Sequence, residues 1–116
     1  MRNKKSNVQT IKRKLSKCED VCRTYNDIQY AYAVLLEEDS LVEKFVCNVV
    51  LDDLKLDGIY TTDFLITKTN GELVVRECVQ RDKILKPLNA RLLDASRNYW
   101  LKRGVNDWGV VVNAKV

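Results

Sequence analysis

Two segments, Tyr60-Thr61-Thr62-Asp63-Phe64 and Leu73-Val74-Val75-Arg76-Glu77-Cys78-Val79, are rich in the β-branched and aromatic residues that are typical of β-strands. Asn70-Gly71 lies between them and is a strong signal for a hairpin turn. If the two strands pair across that turn, the carboxylates of Asp63 and Glu77 come to lie side by side. The sequence therefore predicts an antiparallel strand pair that brings two acidic residues together.

Neighbouring carboxylates in a cleft supply the oxygen ligands that Mg²⁺ or Mn²⁺ prefers. Asp63 and Glu77 are therefore candidate metal ligands and candidate catalytic residues. A hydrolytic site of this kind usually adds a lysine two positions after the second acid, which orients the attacking water, but that position is Val79. The alternative interpretation is that Asp63 closes a turn or caps a helix, and that Glu77 faces solvent on its strand.

The length and composition are those of one ordinary globular domain. The chain has 116 residues, of which 46% are hydrophobic and 31% charged. No apolar run approaches the roughly 20 residues that span a bilayer, and the amino terminus lacks the apolar region of a secretion signal. We expect a cytoplasmic protein with no membrane partner.

The cysteines and the absence of histidine limit the chemistry. Cys18, Cys22, Cys47 and Cys78 form no CxxC pair, and the chain has no histidine, so the sequence predicts no zinc site. Cys18 and Cys22 are four residues apart, which on a helix places both on one inward face. Without histidine, Ser-His-Asp and Cys-His nucleophilic sites are excluded, so any hydrolysis has to be metal-assisted.

The positive charge is concentrated near the amino terminus. Up to Arg23 there are eight basic and two acidic residues, whereas the rest of the chain has twelve basic and fourteen acidic residues. A basic arm over residues 1–24 is expected to bind DNA phosphates without sequence preference. Its candidate DNA-binding residues are Lys4, Lys5, Lys12, Arg13, Lys14 and Lys17. The alternative is a solvated helix face that only keeps the protein soluble.

Hydrophobic periodicity predicts the order of the elements. Apolar residues at a spacing of three or four predict a basic amphipathic helix from Ser6 to Cys22 and a second, largely buried helix from Asn26 or Asp27 to Glu38. Three strands follow at 44–51, 60–67 and 72–79, with Asp57-Gly58 and Asn70-Gly71 as hairpin turns. A helix from Ile84 to Arg103, with Pro87 in its first turn and Gly104 at its end, precedes a strand at 108–113.

This order predicts a single-domain α/β sandwich, in which a central mixed β-sheet is flanked by helices. The last strand is a continuous apolar run, so we expect it to be buried on both faces and parallel to the strand that carries Glu77. Tyr99, Trp100 and Trp108 are predicted to be core or rim residues.

The ordered set of residues resembles a known family of nucleases. Tyr60-Thr61-Thr62-Asp63-Phe64, Gly71, Leu73-Val74-Val75-Arg76-Glu77, Asn98-Tyr99-Trp100-Leu101-Lys102-Arg103-Gly104-Val105 and Asp107-Trp108-Gly109-Val110-Val111 are similar to the amino-terminal domain of the TnsA family. The members are endonuclease subunits of heteromeric transposases with a restriction-endonuclease-like fold of the PD-(D/E)xK class. The resemblance covers residues 25–116 and implies DNA, Mg²⁺ or Mn²⁺, and transposase or other mobile-element proteins as partners.

The resemblance also implies site residues, at two of which this chain departs from the family. Asp63 matches the family's aspartate and Glu77 its second ligand, whereas Gln29 lies at or beside a position where the family has a glutamate. Val79 occupies the lysine position, and Asn48 lies where the family favours glutamine. Lys83 or Lys86 could replace the missing lysine, and Gln80 or Arg81 could turn a polar group towards Glu77.

Two functions follow as hypotheses. One is a metal-dependent DNA endonuclease of transposition, in which Asp63 and Glu77 hold the metal, Gln29 assists and Lys83 replaces the missing lysine. The other is a catalytically degraded module that binds DNA, transposase or host proteins without cleaving; the departures at Gln29 and Val79 favour weak or no activity. A regulator that occupies the partner of a host nuclease is a third possibility.

Overall fold

The structure is a computed structural model that describes residues 10–51 and 60–113. Two short strands precede a unit of two helices and four strands, and a short 3-10 turn at Arg81–Lys83 lies before the second helix. The described elements are β1 (Ile11–Arg13), β2 (Cys22–Thr24), α1 (Asp27–Glu38), β3 (Val42–Val50), β4 (Thr61–Lys68), β5 (Leu73–Cys78), α2 (Pro87–Lys102) and β6 (Asp107–Val111).

The main sheet has the strand order β3-β4-β5-β6. β3, β4 and β5 are successively antiparallel, whereas β5 and β6 are parallel and are connected through α2. Gly71 has a φ of 89°, a value that favours glycine, and it closes the turn between β4 and β5. The predictions of a hairpin at Asn70-Gly71 and of a last strand parallel to the Glu77 strand are confirmed. The predicted turn at Asp57-Gly58 lies outside the described residues.

Each face of the sheet carries one hydrophobic cluster. The first cluster includes Ile28, Ala33 and Leu36 of α1, packed against Phe45 and Phe64 of the sheet. The second includes Val75 of β5, Val79 directly after this strand, and Leu93 and Trp100 of α2. The prediction of a single-domain α/β fold with a mixed sheet flanked by helices is confirmed, and the sheet separates the surroundings of α1 from those of α2.

The two helices begin where capping chemistry predicts. Asn26 caps α1 and accepts a hydrogen bond from the Gln29 backbone N–H. Pro87 occupies the first turn of α2, and Gly104, with a φ of 83°, follows its end. α1 buries one face only, because Leu35 is 61% exposed. No helix in the described ranges is long and apolar enough to cross a membrane.

The predicted basic helix from Ser6 to Cys22 is wrong over its described part, residues 10–22. This segment contains β1 and a loop, and it ends where β2 begins and pairs antiparallel with β1. Leu15, Cys18 and Cys22 do pack against the first cluster, as their spacing predicted. A helix and this hairpin with its loop can both place these three residues inward, so their spacing in the sequence could not distinguish the two structures.

Hydrogen bonds to the rest of the fold explain the loop conformation. The Phe45 N–H donates to the Lys17 carbonyl at 2.8 Å, and the Glu19 N–H donates to the Phe45 carbonyl at 3.3 Å. The Glu37 carboxylate accepts the backbone N–H groups of Ser16 and Lys17 at 3.1 and 3.0 Å. These donors and acceptors would bond within the segment if it were helical, and tertiary partners satisfy them instead.

The prediction that the last strand is buried on both faces is also wrong. β6 pairs with β5 and lies at the edge of the described sheet. Val110 is 37% exposed, and Trp108 and Gly109 are partly buried. A continuous apolar run is therefore compatible here with an edge strand that buries part of its surface.

Candidate functional site

Asp63 and Gln29 meet in the interior between β4 and α1. The Gln29 Nε2 amide donates to Asp63 Oδ1 at 2.8 Å, and the Cys78 backbone N–H donates to Asp63 Oδ2 at 2.6 Å. Both oxygens of the Asp63 carboxylate therefore accept hydrogen bonds from the protein. Gln29 is 1% exposed and Asp63 is fully buried.

The orientation of the Gln29 amide follows from its other partner. Gln29 Oε1 accepts the Tyr25 backbone N–H at 2.8 Å. Because a backbone N–H can only donate, the oxygen of the amide has to face Tyr25 and the NH₂ group has to face Asp63. Asn48, with a φ of 56°, accepts a longer bond from the same NH₂ group at 3.4 Å and donates to the Arg23 carbonyl.

Glu77 lies on β5, and its side chain contacts α2, whereas the Asp63 side chain contacts α1. Glu77 Oε1 accepts the Asp63 backbone N–H at 2.9 Å, and its Oε2 accepts the hydroxyls of Thr62 at 2.9 Å and Ser96 at 2.6 Å. Ser96 belongs to α2, and it and Glu77 are fully buried. The interpretation of Glu77 as a solvent-facing strand residue is therefore wrong.

Two tryptophans fix the direction of these hydrogen bonds. Trp100 Nε1 donates to the Thr62 hydroxyl at 2.7 Å, and Trp108 Nε1 donates to the Ser96 hydroxyl at 3.0 Å. An indole N–H only donates, so each hydroxyl accepts from its tryptophan and directs its own proton to Glu77. Burial raises the pKa of Glu77, against the opposite effect of the Ser96 and Thr62 donors.

Asp63 and Glu77 lie on neighbouring paired strands, but their carboxylates contact different helices. The Asp63 side chain bonds to Gln29 of α1, whereas the Glu77 side chain bonds to Ser96 of α2. The strands do pair as predicted, and the Asp63 backbone, not its carboxylate, bonds to Glu77. Their joint binding of one metal ion remains a prediction.

The basic residues considered as replacements for the missing lysine lie on the surface. Lys83 is exposed in the 3-10 turn, and Lys86 is exposed at the start of α2. Arg81 bonds to Asn113 through its backbone N–H and its guanidinium group. Val79, at the lysine position, is 6% exposed and belongs to the second hydrophobic cluster. Its surroundings are those of a core residue.

The predicted DNA-binding residues divide into two groups. Lys12 and Lys14 are exposed, and Lys12 lies opposite Arg23 in the β1–β2 pair. Arg13 stacks on the Tyr30 ring and donates to the Tyr30 carbonyl, and Lys17 Nζ donates to the Asp39 carbonyl at 2.6 Å. Lys4 and Lys5 lie outside the described residues. We call Lys12, Lys14 and Arg23 the basic face of the hairpin.

Three cysteines converge beside the same hairpin. Cys47 Sγ lies 3.8 Å from Cys18 Sγ and 3.3 Å from Cys22 Sγ. The hydrogen bond with Cys47 and the charge of Arg13 lower the pKa of Cys22 to about 7, although burial acts in the opposite direction. Sequence reasoning missed this cluster, because Cys47 is supplied by a strand that lies 25 residues after Cys22.

Comparisons with known proteins assign no family to the chain. No protein-family model matches it, and no curated protein sequence matches it. The resemblance to the TnsA family, and with it the transposase partner, therefore remains a prediction based on the ordered motif residues. The function has to be argued from the geometry of the site.

Proposed function

We propose that this protein is a DNA-binding module with a restriction-endonuclease-like fold that lacks the cleavage chemistry of the TnsA family, which its motif residues resemble. The observation that carries the proposal is that the carboxylate oxygens of Asp63 and Glu77 accept hydrogen bonds from protein donors inside a closed core. The order α1, β3, β4, β5, α2, β6 is consistent with the fold assignment, and it is the order that hydrophobic periodicity predicted for this part of the chain.

The residues at the site do not fit a Mg²⁺ ion. Mg²⁺ requires octahedral oxygen coordination and usually retains several waters, so it needs carboxylates that are open to solvent. Asp63 and Glu77 are both 0% exposed. Gln29 directs an NH₂ group, not an oxygen, towards Asp63. We derive no reaction step through a metal at this position.

Gln29, which lies at or beside a position where the family has glutamate, can stabilise the buried Asp63 carboxylate without a metal ion. A glutamate at this position, as in the family, would place a second negative charge 2.8 Å from Asp63, and a metal ion would have to neutralise the pair. The amide of Gln29 instead donates a hydrogen bond to the carboxylate, and its own oxygen accepts the Tyr25 N–H. Gln29 thus stabilises the buried Asp63 carboxylate by hydrogen bonding, without adding a charge that a metal ion would have to balance.

The basic face of the hairpin is the surface that supports DNA binding. Lys12 and Arg23 lie directly opposite each other on paired strands, an arrangement in which like charges repel. Lys14, directly after the end of β1, is also exposed and adds a third positive charge to this part of the surface. A polyanion that runs along this face would relieve the repulsion and release counterions, which is how duplex DNA binds basic surfaces.

Fluorescence anisotropy with a labelled DNA duplex of about 25 base pairs tests this proposal. We expect binding that weakens as salt concentration rises, and a K12E/K14E variant that binds at least tenfold more weakly and shows a shallower salt dependence. The matched control is R91E/K102E, which makes the same charge change at two exposed positions of α2. Equal binding by the two variants, or a wild type whose binding does not depend on salt, would contradict the proposal.

A Mg²⁺-dependent endonuclease is the second candidate. The observation that favours it is that Gln29, Asn48 and Asp63 meet at one point, as the resemblance implies for catalytic positions. This function would require the carboxylates to exchange their protein donors for a metal and water. Divalent-metal-dependent nicking of plasmid DNA would support it over the DNA-binding module.

A further inference from the structure

The sulfur atoms of Cys18, Cys22 and Cys47 form a compact triangle. They lie within 4.8 Å of one another and are supplied by the loop after β1, by β2 and by β3. Among the described residues they are the group of three side chains suited to holding a metal ion. All four cysteines of the chain are free thiols in the structure.

One sulfur–sulfur distance equals that of a tetrahedral zinc site, and a second is about 0.5 Å shorter. A Zn–S bond length of about 2.3 Å with tetrahedral angles places any two sulfurs about 3.8 Å apart. Cys18 and Cys47 are 3.8 Å apart, and Cys22 and Cys47 are 3.3 Å apart. A disulfide would require one pair to shorten to about 2.05 Å and would leave the third thiol unpaired. The cluster therefore suits a shared ion better than a single disulfide.

The charge and exposure of the surroundings also suit a thiolate-bound metal. Three thiolates and one Zn²⁺ carry a net charge of −1, and the guanidinium of Arg13 interacts with Cys22 and can balance that charge. Cys18 is 8% exposed and Cys22 is fully buried, whereas Cys47 is partly exposed. A fourth ligand from solvent could therefore approach from the Cys47 side.

We propose that Cys18, Cys22 and Cys47 bind one Zn²⁺ ion that fastens the β1–β2 hairpin to strand β3. Thiolates select zinc over Mg²⁺ because they are soft ligands. The ion would link the loop of the hairpin, through Cys18, and its strand β2, through Cys22, to the main sheet at a single point. This proposal does not depend on DNA binding or on the state of Asp63 and Glu77, and it replaces the sequence-based prediction that the chain binds no zinc.

Metal titration of the reduced, metal-free protein tests the site. We expect one equivalent of Zn²⁺ to bind per chain and to raise the Tm by about 10 °C at a hundredfold excess over Kd. Co²⁺ in its place should give the intense sulfur charge-transfer absorption and the d–d bands of a tetrahedral thiolate site. C22S and C47S should each weaken Zn²⁺ binding at least a hundredfold, whereas C78A should leave it unchanged, because Cys78 is buried outside the cluster.

The Co²⁺ spectrum of the wild type keeps the proposal testable if C22S or C47S fails to fold. A spectrum without sulfur charge transfer, or one of octahedral form, would overturn the proposal. Zn²⁺ binding that survives C47S but is lost in C78A would overturn it too. So would a reduced protein that binds no Zn²⁺ and forms a Cys22–Cys47 disulfide in air.

Discussion

Replacing Gln29 by glutamate tests whether the hydrogen bond from this residue stabilises the buried Asp63 carboxylate. The change is close to isosteric, but it exchanges an NH₂ donor for an oxygen that faces the Asp63 carboxylate at 2.8 Å. The other oxygen can still accept the Tyr25 N–H. The substitution therefore alters one buried contact and leaves the second intact.

The size of the effect follows from two competing energies. Two negative charges 2.8 Å apart would repel by about 6 kcal/mol at an effective dielectric constant of 20. Taking up a proton avoids this repulsion and costs at most about 3.7 kcal/mol at pH 7, given a carboxyl pKa of about 4.3 in the unfolded chain. Proton uptake is the cheaper outcome, so we expect Q29E to lower the free energy of unfolding by about 3 to 4 kcal/mol at pH 7.

The pH dependence has a defined sign. The introduced carboxyl binds its proton more tightly in the folded than in the unfolded protein, so stability is retained below pH 4.3 and is lost as the pH rises. At pH 4.5 the destabilisation should be below about 1 kcal/mol, because a protonated carboxyl donates to Asp63 as the amide does.

Urea denaturation of wild type, Q29E and Q80E at pH 4.5 and 7 measures the effect. Q80E is the matched control, because Gln80 is exposed and the same change there should alter stability by less than about 0.5 kcal/mol. If Q29E were as stable as Q80E at pH 7, or if its destabilisation grew on acidification, the assignment of Gln29 as the hydrogen-bond donor that stabilises Asp63 would be refuted.

Three further substitutions test the core around Glu77. S96A removes a donor from Glu77 and the acceptor of Trp108 Nε1, so urea denaturation should show a loss of about 3 kcal/mol, compared with under 1 kcal/mol for the exposed control S16A. V79K should destabilise the protein by about 3 kcal/mol and give no plasmid nicking, since Val79 lies in an apolar cluster; nicking by this variant would contradict that description. Burial raises the pKa of Glu77, so the native protein holds this proton more tightly than the unfolded chain does. The free energy of unfolding of the wild type should therefore fall relative to that of E77Q as the pH rises above about 4.3. A stability difference between the two proteins that stayed constant with pH would argue against this burial effect.

The main sheet and its helices could be predicted because their signals are local. Asn26 caps α1, Asn70-Gly71 forms the hairpin turn, and Pro87 begins α2. Each of these residues acts within a few positions along the chain. The parallel arrangement of β5 and β6 follows in turn from the helix that connects them.

The amino-terminal hairpin could not be predicted from periodicity. Leu15, Cys18 and Cys22 point inward at helical spacing, but their conformation is fixed by hydrogen bonds to Glu37 and Phe45, residues far along the chain. Phe45, on the edge strand β3, offers a backbone N–H and a carbonyl, and the segment forms hydrogen bonds with these groups instead of with its own backbone. Tertiary contacts of this kind override a local pattern.

The sequence could predict the strand pairing around the candidate site but not the contacts of its side chains. Local signals placed Asp63 and Glu77 on paired strands, whereas a ligand role for Gln29 was implied only by the family resemblance and remains a prediction. The sequence did not reveal that Glu77 would bond to Thr62 and Ser96, because that contact depends on how α2 crosses the sheet. The signal that the sequence offered was Ser96, a polar residue on the helix face that also carries Leu93 and Trp100.

The loss of cleavage activity is tested most directly by incubating the purified protein with supercoiled plasmid DNA in Mg²⁺ or Mn²⁺. We expect no nicking above that of a D63A variant, because protein donors occupy the oxygens of Asp63 and Glu77. Nicking by the wild type that requires the metal and is abolished in D63A would contradict this expectation.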